Sequence, residues 1–437
     1  MILVPFIFFA ALTVYWWRER KGIDVCSYMS LLYAVSSFLA IMIVMMGEMQ
    51  GKTDNENGGV LWGGWDIELG FIPTVSYCLL LGLCILPFSF VNVKEIKKIE
   101  TRAPWSLLAF SALLIAVAFV NLYCVADSTL DILSGDLSFV RQGAYKGDQT
   151  PAEIKAATLP FPLGHLTYLN FCTTLALPIM FYNLCFDKKP WWWNALLLFT
   201  AMTPILAGIQ RADRTEPIYF SLMFVYCIVF FRHHFSRKVK IVMGSVIAVL
   251  VAFGATYVTA VSVARFDERY TGGAAANVVQ YGGQSYLNYC YFCEYGSFAT
   301  VESEREFPLI NHFGANIDSD DIRRSERSAR EGFFIAVFAT FLGDILLDLG
   351  PVGMGLWVLG YALLVTLVIR HKKRTEFDMS EILILFFLAS IPLFGIFYYR
   401  YFAWMIGLNY VLIFLFWVVS NNKIVYEKVK SKLEYNE

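Results

Sequence analysis

Charge is scarce in this 437-residue sequence: 16% of its residues are Asp, Glu, Lys or Arg, against about 25% in soluble globular proteins. With 57% hydrophobic residues and a mean hydropathy of +0.55, a soluble multidomain protein is excluded. Strict apolar/polar alternation is missing too, which argues against a membrane barrel. There is no Gly-x-x-x-x-Gly-Lys-[Ser/Thr], no Gly-x-Gly-x-x-Gly fingerprint and no His-Glu-x-x-His, so the usual nucleotide loops and the zinc-hydrolase helix are absent. The nine cysteines are an odd number, and seven lie singly in apolar runs, where a thiol behaves as a small hydrophobe. Only Cys290 and Cys293 form a Cys-x-x-Cys, with no second pair and no His at ligand spacing, so no metal is expected. The formal charge of −1 is close to neutral, and no nucleic-acid partner is expected.

Long apolar runs fill the space that charge leaves. They fall near 2–17, 25–47, 69–91, 105–126, 163–186, 191–208, 217–231, 239–261, 351–369, 379–397 and 401–419, with an ambiguous run at 333–350. Each is long enough, or nearly so, to cross a hydrocarbon core about 30 Å thick. Backbone groups in lipid must bond internally, so the expectation is an all-α polytopic membrane protein forming one integral membrane domain over 1–437. About eleven spans are expected. The first run lacks a basic start and ends in Tyr15-Trp16-Trp17 rather than small residues, as a retained helix does and a cleaved signal does not.

The two cations are distributed differently. Fourteen of the seventeen lysines fall in short loops that alternation assigns to one side; eleven of the eighteen arginines fall on the other. Basic segments recur at Arg18–Lys21, Lys94–Arg102, Lys188-Lys189, Arg232–Lys240, Arg370–Arg374 and the tail from Lys423. Retention of positive charge places them in the cytoplasm. The loops at 127–162 and 262–332 then face outward, the second being large. The run 333–350 would break the alternation if it crossed, so a re-entrant or half helix is expected there. Asp344, Asp348 and Gly350-Pro351 suit a lipid-facing span poorly. The alternative is an ordinary span with His371–Arg374 exceptionally outside.

Arginine binds phosphate through a planar fork of donors, which draws attention to the outer side. Gly208–Pro217 is a short outer turn whose Arg211 and Arg214 would lie at the depth of a lipid phosphate, unless they pair locally with Asp213 or Glu216. Asp318–Glu331 reads as a helix with Ser319 as N-cap. Its Arg323, Arg327 and Arg330 share one face. That face would clamp a pyrophosphate, or else belong to a solvated helix laced by Asp320–Arg324 and Arg327–Glu331 pairs. Asp344 and Asp348, at i and i+4, are intramembrane acids; one would serve as general base, or the two would hold arginines of the preceding loop. Arg265 opens the large loop, and Arg400 sits in Tyr398-Tyr399-Arg400-Tyr401-Phe402 at an outer turn, where the aromatics suit an interfacial belt or sugar stacking. His165 and His312 are the outer histidines.

Three segments together resemble the O-antigen polymerases, the Wzy-type oligosaccharide repeat unit polymerases. They are the Gly208–Thr215 turn, Tyr281-Gly282-Gly283-Gln284, and Phe338–Asp344 running into Asp348-Leu349-Gly350-Pro351-Val352-Gly353. The resemblance covers roughly residues 200–402, and the Arg323–Arg330 helix has no counterpart in the family pattern. It implies a membrane glycosyltransferase on the outer (periplasmic) face of a bacterial inner membrane, making surface polysaccharide of lipopolysaccharide or capsule type. The growing glycan would pass from undecaprenyl pyrophosphate to a hydroxyl of a new lipid-linked repeat, with a chain-length regulator and a flippase as partners and no cofactor. Arg211, Arg214, Arg265 and Arg323 or Arg327 would hold the departing diphosphate, with Tyr281 and Arg400 as further substrate-binding residues. Asp344, Asp348, Glu294 and His312 are the candidate bases. A lipid-linked oligosaccharide flippase is one rival. A membrane glycosyltransferase using a polyprenyl phosphate sugar is another, since Asp66-Ile67-Glu68 resembles the acidic pair of such enzymes. A ligase would share the same architecture.

Overall fold

A computed structural model describes residues 1–50, 69–135, 149–245, 273–296, 337–369 and 375–421, with isolated positions at 140, 256, 309, 328–329, 331 and 335. The helices are α1 (Leu3–Arg20), α2 (Val25–Gln50), α3 (Phe71–Ile85), α4 (Pro104–Ser134), α5 (Pro151–Ala157), α6 (Leu163–Leu166), α7 (Ala176–Tyr182), α8 (Trp191–Ile209), α9 (Thr215–Phe231), α10 (Gly273–Tyr295), α11 (Thr340–Ile369), α12 (Met379–Phe394) and α13 (Trp404–Asn421). Two three-residue strands, β1 (Lys98–Glu100) and β2 (Glu376–Asp378), pair in parallel. Seven helical segments among the described residues are long and apolar enough to cross a membrane: Val25–Met45, Phe71–Phe90, Pro104–Leu133, Leu163–Asp187, Trp191–Ile209, Thr340–Ile369 and Trp404–Asn421. Thr215–Phe231 and Met379–Phe394 are shorter apolar helices. The expected run at 239–261 is described only to residue 245. The chain is therefore an all-α polytopic membrane protein apart from the small strand pair.

The chain divides into two compact units. Unit 1 comprises Met1–Val91, Gly272–Lys372 and Leu388–Gly407; unit 2 comprises Asn92–Thr271, Lys373–Phe387 and Leu408–Glu437.

In unit 1, α2 and α10 cross at Gly282-Gly283. A Cβ on Gly283 would overlap the backbone of Leu39 and Ala40, so the two backbones touch there. Ser36 Oγ donates to the Gly282 carbonyl at 2.6 Å. This is the small-residue contact that membrane helices use to approach closely. Helix α11 is broken at Gly350-Pro351, where Gly350 has φ 70°, a conformation that a Cβ opposes. Every residue from Thr340 to Asp348 is buried. Beyond the break, Met354, Val358, Tyr361, Val365 and Ile369 face inward while Val352, Leu356, Leu359, Leu363 and Leu367 are exposed. A helix apolar on both faces suits a lipid neighbour. At 1.5 Å per residue the first arm rises about 15 Å and the second about 28 Å, against about 30 Å of hydrocarbon.

Prolines inside these helices leave carbonyls without amide partners, and hydroxyls take them up. Pro392 frees the Leu388 carbonyl, which accepts from Tyr361 Oη at 2.8 Å. The Pro392 carbonyl itself, in the last turn of α12, accepts from Tyr33 Oη at 2.7 Å. In unit 2, Pro204 frees the Thr200 carbonyl, which accepts from Thr203 Oγ1 at 2.9 Å.

One end of unit 2 gathers lysine-bearing loops. β1, inside the Lys94–Arg102 segment, pairs with β2, which follows Arg370–Arg374. Arg102 Nη1 donates to Asn421 Oδ1 at 2.7 Å, and Ser106 bonds Ser420 at 3.0 Å, so the end of α13 lies beside the start of α4. Thr101 Oγ1 donates to Tyr182 Oη at 3.3 Å, and the Phe186 ring lies 4.9 Å from His234, which brings in the loops at Lys188 and at Arg232. From this end α8 climbs its 19 residues, about 28 Å, to the Gly208 turn.

Candidate functional site

The sequence-derived residues that are described fall into two groups, one in each unit.

In unit 2 the Gly208 turn closes through Asp213 N–H and Arg211 N–H, both donating to the Gly208 carbonyl, at 2.9 and 3.1 Å, with Ala212 at φ 47°. Glu216 in the first turn of α9 packs its side chain onto Gly208, where a Cβ would lie 3.2 Å from Cγ. Asp213 Oδ1 accepts from the Thr215 amide and hydroxyl at 3.0 and 2.8 Å, fixing the start of α9. Buried Gln210 fastens the turn to α4: it accepts from Ser128 at 2.8 Å and donates to Thr129 at 3.1 Å. Arg214 and Glu216 are buried.

Arg211 is half-exposed, and its Nη2 is paired with Glu153 of α5. Local pairing with Asp213 or Glu216 is the alternative the sequence offers; this partner is 58 residues away. Glu153 is doubly committed, since Thr150 and Glu153 form a reciprocal capping box at the start of α5. Burial pushes the Glu153 carboxyl up, but the Thr150 amide and the Arg211 charge outweigh it and leave its pKa below the ordinary value. Two residues on, Lys155 bonds Asp127 at 2.6 Å and lies 4.1 Å from the centre of the Tyr123 ring. Helix α5 is thus tied to α4 by one ion pair and to the Gly208 turn by another. Thr150-x-x-Glu153 with Pro151 at the first helical position was readable as a helix start; the partner of its Glu was not.

In unit 1 the site forms where α11 begins. The N–H groups of Thr340 and Phe341 donate to the carbonyls of Phe397 and Gly395 at 3.0 and 2.9 Å, which caps two amides that a helix start leaves open. Thr340 has φ 61°, an outlier for a β-branched residue, costing about 1–3 kcal/mol and held by its surroundings. Gly395 is required here, because a Cβ would overlap the Phe341 ring and the Ile391 carbonyl. One turn further, Asp344 Oδ2 accepts the backbone N–H of Tyr399 at 2.6 Å. Asp344, Asp348 and Arg400 are 3%, 0% and 3% exposed. The Arg400 guanidinium lies 5.4 Å from the centre of the Phe394 ring. Next to Tyr399 in sequence, Tyr398 belongs to a half-buried aromatic patch: Phe338 stacks on Tyr398 at 5.7 Å and meets Tyr281 and Phe397 edge-on at 5.4 and 5.6 Å. Asn288 Nδ2 donates to the Phe338 carbonyl at 2.8 Å.

No protein-family model matches the chain, and neither a curated protein nor a solved structure shows significant similarity to it.

The structure brings Asp344, Asp348, Arg400 and Tyr281 into one neighbourhood of unit 1, and Arg211 and Arg214 into one turn of unit 2. Glu294 is exposed near the end of α10, thirteen residues or about 20 Å of helix beyond Tyr281. His312, Arg265, Arg323 and Arg327 lie outside the described residues, as does the Asp66–Glu68 acidic pair. Sequence reasoning missed Glu153, the bonds of Gln210 and the Tyr399 amide. The first carried a capping signal; Gln210 and the Tyr399 amide carried none.

Proposed function

We propose that this protein is a membrane glycosyltransferase that polymerises lipid-linked oligosaccharide repeat units, as its resemblance to the O-antigen polymerases implies. The growing chain leaves undecaprenyl pyrophosphate: the glycosyl C1–O bond to the diphosphate breaks and a new bond forms to a hydroxyl of the incoming repeat unit. The hydroxyl proton passes to a base. The leaving group gathers negative charge, which preorganised guanidinium groups stabilise. Arg211 and Arg214 are the groups assigned to it, with Arg265, Arg323 and Arg327 as further candidates. Arg400 and the aromatic patch around Tyr281 suit a sugar ring with a charged neighbour.

The observation that carries this reading is the distance in unit 2 between the lysine-bearing loops and the Gly208 turn. Lysine-bearing loops meet at one end, and Arg211 and Arg214 stand one helix length away, about 28 Å, the thickness of a bilayer core. With lysine marking the cytoplasm, the arginine turn falls at the outer leaflet of a bacterial inner membrane. No nucleotide is supplied there, so the substrate must carry its own activated bond.

The strand pair supports a half helix at the start of α11. β1 and β2 are hydrogen-bonded neighbours, so the chain between them crosses the bilayer an even number of times. With α10 kept in the outer segment 262–332, the runs at 105–126, 163–186, 191–208, 217–231, 239–261 and 351–369 make six crossings. A seventh by Thr340–Leu349 would put the strands on opposite sides, and that arm rises only about 15 Å.

The test is deletion of the gene and complementation, read as surface glycan on gels. A single-repeat product in the deletion, with a ladder restored by the wild type and not by Arg211→Gln or Arg214→Gln at equal expression, is expected. Loss of lipid-linked repeats from the outer leaflet would favour a flippase instead.

A further inference from the structure

Asp344 reads from sequence as a candidate general base, a carboxylate within an apolar segment. Its geometry describes a different task. Oδ2 accepts the Tyr399 amide at 2.6 Å. The side chain is 3% exposed. The residue that follows Tyr399 is Arg400, and the segment from Phe397 to Phe402 has no regular helix to fix it apart from a single 3₁₀ turn at Arg400–Phe402. Its anchors include the Phe397 and Gly395 carbonyls on the first amides of α11, the Tyr401 hydroxyl on Ser390, and the Tyr399 amide on Asp344. Of these, the last is the backbone bond nearest to Arg400. It is also the one supplied by a side-chain carboxyl.

We infer that Asp344 is a positioning residue: its carboxylate holds the Tyr399 amide and so sets where the Arg400 guanidinium stands, and it takes no proton in the reaction. Thr340 belongs to the same device. Its left-handed backbone turns the first N–H groups of α11 onto the 395–397 carbonyls, so the helix that carries Asp344 and the turn that carries Arg400 are fixed to each other from both directions. Through its effect on activity the inference rests on the polymerase reading; its structural half does not.

The experiment pairs Asp344→Asn with Asp344→Leu in full-length protein. Asparagine keeps an oxygen that accepts the amide; leucine keeps volume and loses the acceptor. Two readouts are taken: hydrogen exchange at the Tyr399 amide in lipid nanodiscs, and the glycan ladder of complemented deletion cells. The pH profile of the Asp344→Asn protein is compared with that of the wild type as well. The expected result is a protected Tyr399 amide, a ladder within about threefold of normal and an unchanged pH profile for Asp344→Asn, with at least tenfold faster exchange and a lost ladder for Asp344→Leu. An Asp344→Asn protein that keeps the amide protected but makes no ladder overturns the inference, because the proton or charge is then what matters. Unaltered exchange in Asp344→Leu overturns it from the structural side. Should the wild-type gene itself restore no ladder, the polymerase reading fails, and the exchange comparison still decides whether Asp344 holds the turn.

Discussion

Tyr361 donates its hydroxyl to the carbonyl of Leu388 at 2.8 Å, the carbonyl that Pro392 deprives of its helical amide. A buried residue of the lipid-facing arm of α11 thereby completes the hydrogen bonding of α12. In hydrocarbon no water stands ready to do so.

Tyr361→Phe therefore leaves a buried carbonyl unsatisfied and is expected to destabilise the protein by about 1–3 kcal/mol. Restoring the backbone amide with Pro392→Ala removes the need for the hydroxyl, so Tyr361→Phe in that background should be nearly neutral. Unfolding of the four proteins in one detergent gives the coupling. Additive effects would show that the tyrosine acts through packing alone.

Glycine-to-alanine changes at the α2–α10 crossing should rank in a definite order. At Gly283 the new methyl meets the backbone of Leu39 and Ala40, which cannot move without parting the helices; overpacking of this kind costs about 1–3 kcal/mol. At Gly282 it meets only the end of the Leu39 side chain, which can rotate away. Gly283→Ala should lower the melting temperature more than Gly282→Ala. The reverse order would mean that the close approach lies elsewhere.

Much of the fold was legible in hydropathy, because an apolar run that must cross lipid has one way to bond its backbone. The run at 191–208 is the helix Trp191–Ile209, and 351–369 is the second arm of α11. Polar continuations were not legible. Helix α4 runs through Asp127, Ser128 and Thr129 to Ser134, since Lys155 and Gln210 supply partners that no local pattern announces. The run at 163–186 is not one α-helix: it passes from α6 through a 3₁₀ stretch to α7 and a π turn. Within the 3₁₀ stretch the Thr173 and Thr174 hydroxyls bond back to the carbonyls three residues earlier. For the candidate site, the sequence pointed to Arg211 and Asp344 as residues but not to what they touch. Glu153 and the Tyr399 amide each lie more than fifty residues away along the chain.

The Glu153 pair gives a pH dependence with a definite sign. Its carboxyl titrates below the ordinary value in the folded protein, which is about 4.3 unfolded. The stabilisation is therefore complete above that value and is lost as the pH falls through the folded pKa. Protection of the α5 amides from hydrogen exchange should hold from pH 7 to about 4.5 and drop below it. Glu153→Gln should weaken protection at pH 7 and flatten the profile. A profile unchanged by Glu153→Gln would assign the acid sensitivity to another carboxylate.

Sidedness at residue 372 tests the half helix, because the two readings of Thr340–Leu349 place that position on opposite faces. In a cysteine-free background with Lys372→Cys, an impermeant maleimide added to intact spheroplasts should leave the site unmodified and label it only after the membrane is opened. Pairing of β1 with β2 makes a companion position useful: Lys97→Cys must share the behaviour of Lys372→Cys, since the Lys97 amide donates to the Thr375 carbonyl at 2.7 Å. Labelling of both from outside would invert the assignment of lysine to the cytoplasm and move the arginine turn to the wrong leaflet for a polymerase. Labelling of Lys372→Cys alone from outside would make Thr340–Leu349 a full crossing. It would also be incompatible with the strand pair, so the two cysteines together separate an error of orientation from an error of span count.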